Sequence, residues 1–269
     1  MKLKHKIIHL SKKILGRDYG WSGNYKTWQE AKRHCEGYNT STILDKVKDA
    51  TLKVKNGEAV YERDSVLFNE IDYSHPLLHS LQAISEERGS SLKIVDFGGS
   101  LGSSYFQNRI HFTNLKNLEW SVVEQKNFVD TGNELIADEH LSFFYTIKEA
   151  IDKKGNHDVL LLSCVLPYLE APYDLLSEVR DLNFKYIIID NTYFNNKPQD
   201  RLTVQRVRPH IYTASYPAWF LDYRKVLSTL LKNYEVIREH TNESFLYLDD
   251  ETIQYRGVIV KSKNNERNH

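Results

Sequence analysis

Five short apolar runs constrain the fold of this chain more than any other feature. They are Leu92–Asp96, Leu118–Glu124, Leu141–Tyr145, Asp158–Ser163 and Tyr186–Asp190, spaced about 20 to 30 residues apart. A short run that is apolar at successive positions is typical of a strand buried on both faces, as in a parallel sheet. Helical patterns such as Ala171–Leu182 separate the runs. The alternation predicts a doubly wound α/β fold with a mostly parallel sheet.

The sequence on either side of these runs divides the chain further. Residues 1–90 predict an N-terminal cap that is mostly helical after residue 20, and residues 91–190 predict the α/β core. Residues 191–225 show no clear period, whereas residues 226–262 predict a helix and a β-hairpin that complete the sheet. Long irregular segments of compact domains usually carry function, so we expect residues 191–225 to cover a substrate.

Composition excludes several classes of protein. Lys and Arg number 36 and Asp and Glu number 36, and a formal net charge of zero argues against a nucleic-acid binder. The two cysteines, Cys35 and Cys164, lie far apart and outside any metal-ligand spacing, so we expect neither a disulfide scaffold nor a metal site. No stretch approaches the 18 apolar residues that a membrane-spanning helix needs.

Residues 1–17 are basic and leave two interpretations open. Lysines interrupt the apolar run that an export signal would need, which predicts a cytoplasmic protein. Leu3, Ile7, Leu10 and Ile14 would share one face of a helix. Such a helix can lie on the anionic inner surface of a membrane, which would give peripheral membrane contact. Alternatively, it is an ordinary terminal helix that packs on the domain.

A glycine-rich turn directly follows the first apolar run. The sequence Asp96-Phe97-Gly98-Gly99-Ser100-Leu101-Gly102 connects this run to the next predicted helix. Glycines permit a sharp turn and the close approach of a ligand, and the free N–H groups of the helix can bind an anion. The second run ends in Glu124, whose carboxylate can accept hydrogen bonds from both hydroxyls of a ribose. Together they predict a site for a nucleoside-containing cofactor.

The turn, Asp-x-Gly-x-Ser-x-Gly, resembles the first motif of class I S-adenosylmethionine-dependent methyltransferases, with Ser100 in place of the middle glycine. Asp158–Glu170 resembles the strand-four motif of that family. The resemblance implies a seven-stranded, Rossmann-like sheet and S-adenosylmethionine as the cofactor, with S-adenosylhomocysteine as the product. The cofactor-binding residues expected from the turn, the acid and this resemblance are Asp96, Gly98, Gly99, Ser100, Gly102, Glu124, Gln125, Tyr145, Thr146, Ser163 and Cys164. Cys164 can equally be a small buried apolar residue.

Signatures spread over residues 16–260 are similar to those of a more specific family. They include Val60–Ser65, His75–Leu78, Trp120–Gln125 and Ala214–Leu221. Together they resemble methyltransferases associated with bacterial surface-polysaccharide gene clusters. This resemblance implies an O-methyltransferase for a sugar, a nucleotide-sugar or a phosphate- or phosphoramidate-bearing precursor of a surface glycan. It leaves the acceptor itself undetermined.

We expect the acceptor at the carboxyl ends of the fourth and fifth strands. A sugar hydroxyl needs a base, whereas a phosphate oxygen is already anionic and needs only cations to steer it. The predicted catalytic residues are His210 as the base, with Tyr212 and Tyr216 as supporting donors. The predicted substrate-binding residues are His75, Asn191, Arg201, Arg206, Arg208 and Trp219. Alternatively, the arginines pair with surface acids.

Two other classes of protein share parts of this pattern. An NAD-dependent oxidoreductase would use the same glycine turn and acid, and Tyr193 and Lys197 even match a Tyr-x-x-x-Lys pair. That pair must share a helical face, however, and Pro198 follows it immediately. A non-catalytic adapter could also retain the fold of a methyltransferase. Binding of S-adenosylhomocysteine, of NADH or of neither separates the three hypotheses.

Overall fold

A computed structural model describes residues 19–35, 40–208, 211 and 213–263 of the chain. The predicted basic helix of residues 1–17 lies outside the described residues. The strands are β1 (Gly20–Tyr25), β2 (Tyr61–Arg63), β3 (Val66–Phe68), β4 (Ser91–Phe97), β5 (Asn117–Val123), β6 (Leu141–Phe144), β7 (Val159–Ser163), β8 (Tyr186–Tyr193), β9 (Arg201–Arg206), β10 (Ser215–Phe220), β11 (Tyr234–Leu248) and β12 (Glu251–Ser262). The α-helices are α1 (Trp28–Arg33), α2 (Thr40–Lys55), α3 (His75–Glu87), α4 (Ser103–Asn108), α5 (Lys126–Thr131), α6 (Ile147–Lys154), α7 (Pro172–Arg180) and α8 (Tyr223–Leu230).

Ten of these strands form one sheet in the order β10-β9-β1-β11-β12-β8-β7-β4-β5-β6. The five strands β6, β5, β4, β7 and β8 are parallel, and each connection between them carries a helix. The strand β12 is antiparallel to both β8 and β11. The predicted doubly wound, mostly parallel α/β fold is confirmed. The sheet of the described residues has ten strands and not the expected seven, because β1, β9 and β10 extend it beyond β11. The carboxyl ends of the parallel strands lie along one edge, which is where ligands bind in such sheets.

The continuous apolar runs are explained by helices on both faces of the sheet. In β7, Leu160, Leu161 and Leu162 are all fully buried. Leu161 belongs to the core that includes side chains of α2, α3 and α4, whereas Leu160 and Leu162 belong to the core that includes side chains of α6, α7 and α8. Because successive side chains of a strand point to opposite faces, both faces require apolar residues.

The N-terminal region differs from the expected helical cap. Residues 20–25 form β1, which pairs antiparallel with β9 and parallel with β11, and residues 61–68 form the β2–β3 hairpin. Gly20 and Gly23, both with positive φ, give β1 little local strand preference. Its strand conformation therefore comes from pairing with residues that are distant in sequence, which a local pattern does not reveal.

Residues 191–225 are also more regular than expected. They contain the end of β8 and the antiparallel strands β9 and β10. Leu202 and Val204 of β9 are buried beside Ala31 of α1, and the hydroxyl of the buried Thr203 donates to the carbonyl of Ala218 at 2.7 Å. The segment was expected to be irregular because its strands are short and rich in polar residues.

Within the described residues, no helix has the length and apolarity to cross a bilayer.

Candidate functional site

The glycine turn after β4 is held in a conformation that only particular residues can adopt. Gly98, Ser100 and Gly102 have φ values of +75°, +55° and +91°, which lie in the left-handed region. A Cβ on Gly98 would lie 2.4 Å from Cγ2 of Val165, so the turn touches the segment after β7. A non-glycine residue in this region, such as Ser100, carries a strain that is common at binding sites. The turn is therefore both tight and closely packed.

The side chain of Asp96 lies beneath this turn at the carboxyl end of β4. It is 1% exposed, and Oδ2 accepts a hydrogen bond from Nε1 of Trp120 at 3.0 Å. Oδ1 has no hydrogen-bond partner among the described residues. Burial, reinforced by the nearby charge of Glu124, raises the pKa of Asp96 to about 7. A buried carboxyl oxygen without a donor is a position that a ligand N–H or O–H can satisfy.

Glu124 extends from the end of β5 toward the same turn. Its carboxylate accepts the backbone N–H of Gln125 at 2.6 Å, and the backbone N–H of Ser100 also donates to it. Burial raises the pKa of this carboxyl. The structure thus brings together the turn, Asp96, Glu124 and Gln125, all of which the sequence selected. Their roles toward a ligand remain predictions.

Tyr145 and Thr146 follow β6, but protein groups already occupy their polar atoms. Oγ1 of Thr146 accepts the backbone N–H of Glu149 at 3.0 Å and so caps α6. The hydroxyl of Tyr145 donates to Asp130 at 2.6 Å, and the side chain is 49% exposed. These contacts favour a capping role for Thr146. The ring of Tyr145 remains available for stacking.

Ser163 and Cys164 lie where β7 ends. Cys164 has a φ of +51°, and its backbone N–H donates to the carbonyl of Asp190 at 3.0 Å. Burial, followed by the charges of Asp64 and Asp190, raises the pKa of the Cys164 thiol to about 12. The thiol is therefore protonated at neutral pH, which excludes a thiolate nucleophile at this position. Cys164 forms part of the floor between β4 and β8.

A buried histidine and aspartate lie at the neighbouring strand end. Nε2 of His240 is 3.0 Å from Oδ1 of Asp190, and the hydroxyl of Ser74 donates to the same oxygen at 3.1 Å. The side chains of His240 and Asp190 are 7% and 2% exposed. Sequence reasoning gave roles to the neighbours His75 and Asn191 and missed this group. The signal in the sequence was Asp190 itself, which ends the fifth apolar run in the same way that Asp96 ends the first.

The two selected neighbours lie differently. His75 is an exposed first residue of α3, with its ring 6.1 Å from that of Tyr73. Asn191 has a φ of +46°, and its side-chain oxygen accepts a hydrogen bond from the amide of Asn242 at 3.0 Å. Asn191 thus lies near the carboxyl end of β8. The residue of the N-terminal region that contacts this strand end is not His75 but Ser74, through its hydrogen bond to Asp190.

The predicted arginines do not converge on one point. Nε and Nη2 of Arg201 donate to the carbonyl of Gly23 at 3.0 and 2.8 Å, and Nη1 pairs with Asp249 at 2.6 Å. Arg206, at the other end of β9, donates to the hydroxyl of Ser22 at 3.3 Å, and Arg208 is exposed. These contacts favour a structural role for Arg201, which joins β1 to the β11–β12 turn.

Trp219, selected for substrate contact, stacks on Trp28 with ring centroids 6.4 Å apart and an interplanar angle of 24°. This packing attaches β10 to α1. The predicted catalytic residues His210 and Tyr212 lie outside the described residues. Tyr216, the third of them, is described and half-buried.

Tyr216 belongs to a group of tyrosines beside Cys164 that we call the tyrosine cluster: Tyr168, Tyr193, Tyr216 and Tyr255. Ring centroids are 5.3 Å apart for Tyr168 and Tyr216, 6.4 Å for Tyr168 and Tyr193, and 5.6 Å for Tyr193 and Tyr255. Burial raises the pKa of Tyr168 well above its ordinary value. The sequence selected only Tyr216 for a site role, because the four residues come from separate elements. The cluster thus places four aromatic rings side by side near the end of β7, with Tyr193 fully buried.

A polar groove opens near the carboxyl end of β8. Its volume is about 470 Å³, and its cationic lining residues are Lys197, Arg224 and Arg256. The guanidinium of Arg256 lies 4.7 Å from the ring centroid of Tyr223, and Lys197 pairs with Glu251 at 3.0 Å. Sequence reasoning selected none of these cations as a binding residue.

The close packing of His240 gives a testable prediction. Gly257 lies opposite His240 in the β11–β12 ladder, and a Cβ there would lie 2.2 Å from Cε1 and 2.3 Å from Nε2 of the imidazole. We expect Gly257→Ala to lower the free energy of unfolding by about 1–3 kcal/mol, measured by urea denaturation, because the ring must leave Asp190. In a His240→Ala background the same change should cost much less. Equal costs in both backgrounds would contradict the assigned packing.

No family model and no curated protein matches the chain. Among solved structures, the N-terminal domain of EvdMO1, crystallised in the presence of SAH and D-fucose, is 14% identical with a TM-score of 0.49, over 84% of this chain and 98% of that one. The N-methyltransferase NodS from Bradyrhizobium japonicum WM9, in complex with S-adenosylhomocysteine, is 10% identical with a TM-score of 0.45, over 80% and 100%. At these identities and TM-scores, the similarity assigns no function to this chain.

Proposed function

We propose that this protein is an S-adenosylmethionine-dependent methyltransferase whose cofactor site is the glycine turn together with Asp96 and Glu124. The observation that supports this most is the meeting of two carboxyl groups, from the ends of β4 and β5, at one left-handed turn. One carboxyl reaches the N–H of Ser100 in the turn, and the other is buried with an oxygen that lacks a donor.

The residues present suit the parts of this cofactor. Glu124 would accept hydrogen bonds from the ribose hydroxyls, and backbone groups of Gly98 and Gly99 would face the methionine portion. Oδ1 of Asp96, which lacks a donor among the described residues, would accept an N–H, directly or through a water. When bound, S-adenosylmethionine supplies a methyl group on a positively charged sulfur. The protein then has to orient the acceptor in line with that bond, which is the main source of rate enhancement in such a displacement.

For the acceptor we propose a sugar, a nucleotide-sugar or a phosphate- or phosphoramidate-bearing precursor of a bacterial surface glycan, methylated on oxygen in the cytoplasm. The half-buried rings of the tyrosine cluster would pack on a sugar face, and the hydroxyl of Tyr168, whose pKa is raised, would stay neutral. The cations of the polar groove would suit a phosphate. Contact of residues 1–17 with the inner face of the membrane belongs to the same proposal.

The oxidoreductase alternative receives no support from Tyr193 and Lys197. Tyr193 ends the buried strand β8, and Lys197 lies in the following loop, where its ammonium pairs with Glu251. The two side chains therefore do not share the helical face that a Tyr-x-x-x-Lys pair requires.

Titration calorimetry tests the proposal directly. We expect S-adenosylhomocysteine to bind with micromolar affinity and one site per chain, and NADH to give no heat at the same concentrations. Binding of NADH alone would replace the proposal with the oxidoreductase, and binding of neither would favour the adapter. A screen of nucleotide sugars and glycan precursors with tritiated S-adenosylmethionine would then identify the acceptor.

A further inference from the structure

The turn of the β2–β3 hairpin consists of two left-handed residues. Asp64 and Ser65 connect β2 to β3 with φ values of +52° and +67°. Two consecutive left-handed residues form the turn that suits a two-residue hairpin, and glycine, asparagine or aspartate normally occupies such positions, so Ser65 is the unusual residue of this turn. Strain of this kind is retained mainly where a side chain has to be held in a defined place.

Two sets of contacts fix the hairpin to the cofactor turn. Glu62, which is 1% exposed, accepts hydrogen bonds from the hydroxyl of Ser103 and from the backbone N–H of Ser65 at 3.3 Å. Ser103 is the first residue of α4 and follows the glycine turn directly. Arg63 donates to the hydroxyl of Tyr61 at 3.0 Å and pairs with Asp72 at 3.2 Å. The residues on either side of Asp64 are therefore anchored.

Asp64 itself lies near Cys164, which follows β7, and near Tyr255 of β12. Its side chain is open to solvent, and no hydrogen bond to its carboxylate is present among the described residues. Its charge acts on Cys164, after β7, and on Tyr255, in β12. The carboxyl that acts on Asp96 is instead Glu124. Asp64 thus lies above β7 and β12 and apart from the ribose position that Glu124 defines.

We propose that Asp64 is the catalytic base, taking the proton of the acceptor hydroxyl as that oxygen attacks the methyl carbon. This inference rests on the proposed methyltransferase function. The O–H bond breaks and its proton moves to the Asp64 carboxylate, while the oxygen forms a bond to the methyl carbon. The carbon–sulfur bond breaks, and its electron pair stays on sulfur as a neutral thioether. The positive charge of the sulfur and the negative charge of Asp64 disappear together.

Among the described residues, the other titratable groups near Asp64 are less suited to the task. The thiol of Cys164 and the hydroxyls of Tyr168 and Tyr255 have raised pKa values and stay protonated. His240 is buried against Asp190. Although one side of Asp64 reaches solvent, the protein atoms packed around its carboxyl raise its pKa by desolvation, and the charge of Arg63 acts in the opposite direction. Its carboxylate is therefore a stronger base than an ordinary aspartate.

A comparison of two ligands tests the position of Asp64 without an acceptor. Sinefungin differs from S-adenosylhomocysteine by a charged amine at the place of the reacting methyl group. A carboxylate beside that place should favour sinefungin. Calorimetry should therefore show the affinity ratio of sinefungin to S-adenosylhomocysteine falling about tenfold in Asp64→Asn, with the affinity for S-adenosylhomocysteine unchanged. Asparagine tolerates the left-handed turn, so the fold should be retained.

Glu70→Gln provides the matched control, because Glu70 is an exposed acid of the same cap. It should leave both affinities as they are. Equal weakening of both ligands in Asp64→Asn would place Asp64 on a part of the cofactor that they share, and unchanged affinities would remove it from the site; either result overturns the proposal. Failure of the unaltered protein to bind either ligand would instead refute the proposed function. With an acceptor from the screen, kcat should fall about 100-fold in Asp64→Asn.

Discussion

Glu124→Ala should weaken binding of S-adenosylhomocysteine by about 100-fold or more while the protein stays folded. Hydrogen bonds to a charged group contribute about 1.5–3 kcal/mol each. The substitution would remove two of them, because the proposed site pairs the carboxylate with both ribose hydroxyls. The fold should survive, because Glu124 lies beyond the last residue of β5 and its contacts are backbone N–H groups of the turn and of Gln125. Titration calorimetry gives the affinity, and thermal unfolding verifies the fold.

Glu119→Ala is the control for this experiment. Glu119 lies nearer the amino end of β5 and pairs with Lys93 at 2.8 Å. Its removal should leave the affinity for S-adenosylhomocysteine unchanged. If Glu124→Ala binds as tightly as this control, Glu124 does not contact the cofactor.

Asp96→Asn should stabilise the ligand-free protein at pH 8. Because the pKa of Asp96 is about 7 in the folded chain and about 4 in an unfolded one, stability falls as the pH rises between these values and stays low above pH 7. The full difference corresponds to about 4 kcal/mol, so a gain of about 2–4 kcal/mol is expected at pH 8. The amide oxygen can still accept the hydrogen bond of Trp120.

Urea denaturation at two pH values measures this effect. The advantage of Asp96→Asn should shrink between pH 8 and pH 5, because the carboxyl of the unaltered protein takes up its proton over that range. The same variant should bind S-adenosylhomocysteine more weakly, since an acceptor oxygen is lost. A variant that is less stable than the unaltered protein at pH 8 would show that the charged carboxylate supports the fold.

Local sequence patterns were sufficient to predict those features of the fold and of the candidate site that are formed by residues close together in the chain. The apolar runs gave the parallel strands, and the residues after β4 and β5 gave the glycine turn and Glu124. Each of these features is contained within a few consecutive residues. The same reasoning placed Thr146 in the site without anticipating its capping bond to Glu149.

The remainder depends on contacts between distant residues. Ser74 and Asp190 are 116 positions apart, and Asp190 and His240 are 50 apart. The tyrosine cluster combines four separate elements, and the turn at Asp64 acquires its importance only from the residues that it faces. A local sequence pattern does not reveal such long-range contacts, because the pairing of strands such as β1 and β9 is decided by tertiary packing.

The position of β1 has a consequence for how the molecule is made. Trp21 is paired with Gln205 on one side and with Leu248 on the other. During synthesis, this first strand leaves the ribosome long before either neighbour exists. It must wait until residue 248 has emerged, and contacts of such long sequence separation form slowly. The parallel strands β4 to β8 can assemble meanwhile, so the edge strands around β1 are expected to be the last to close.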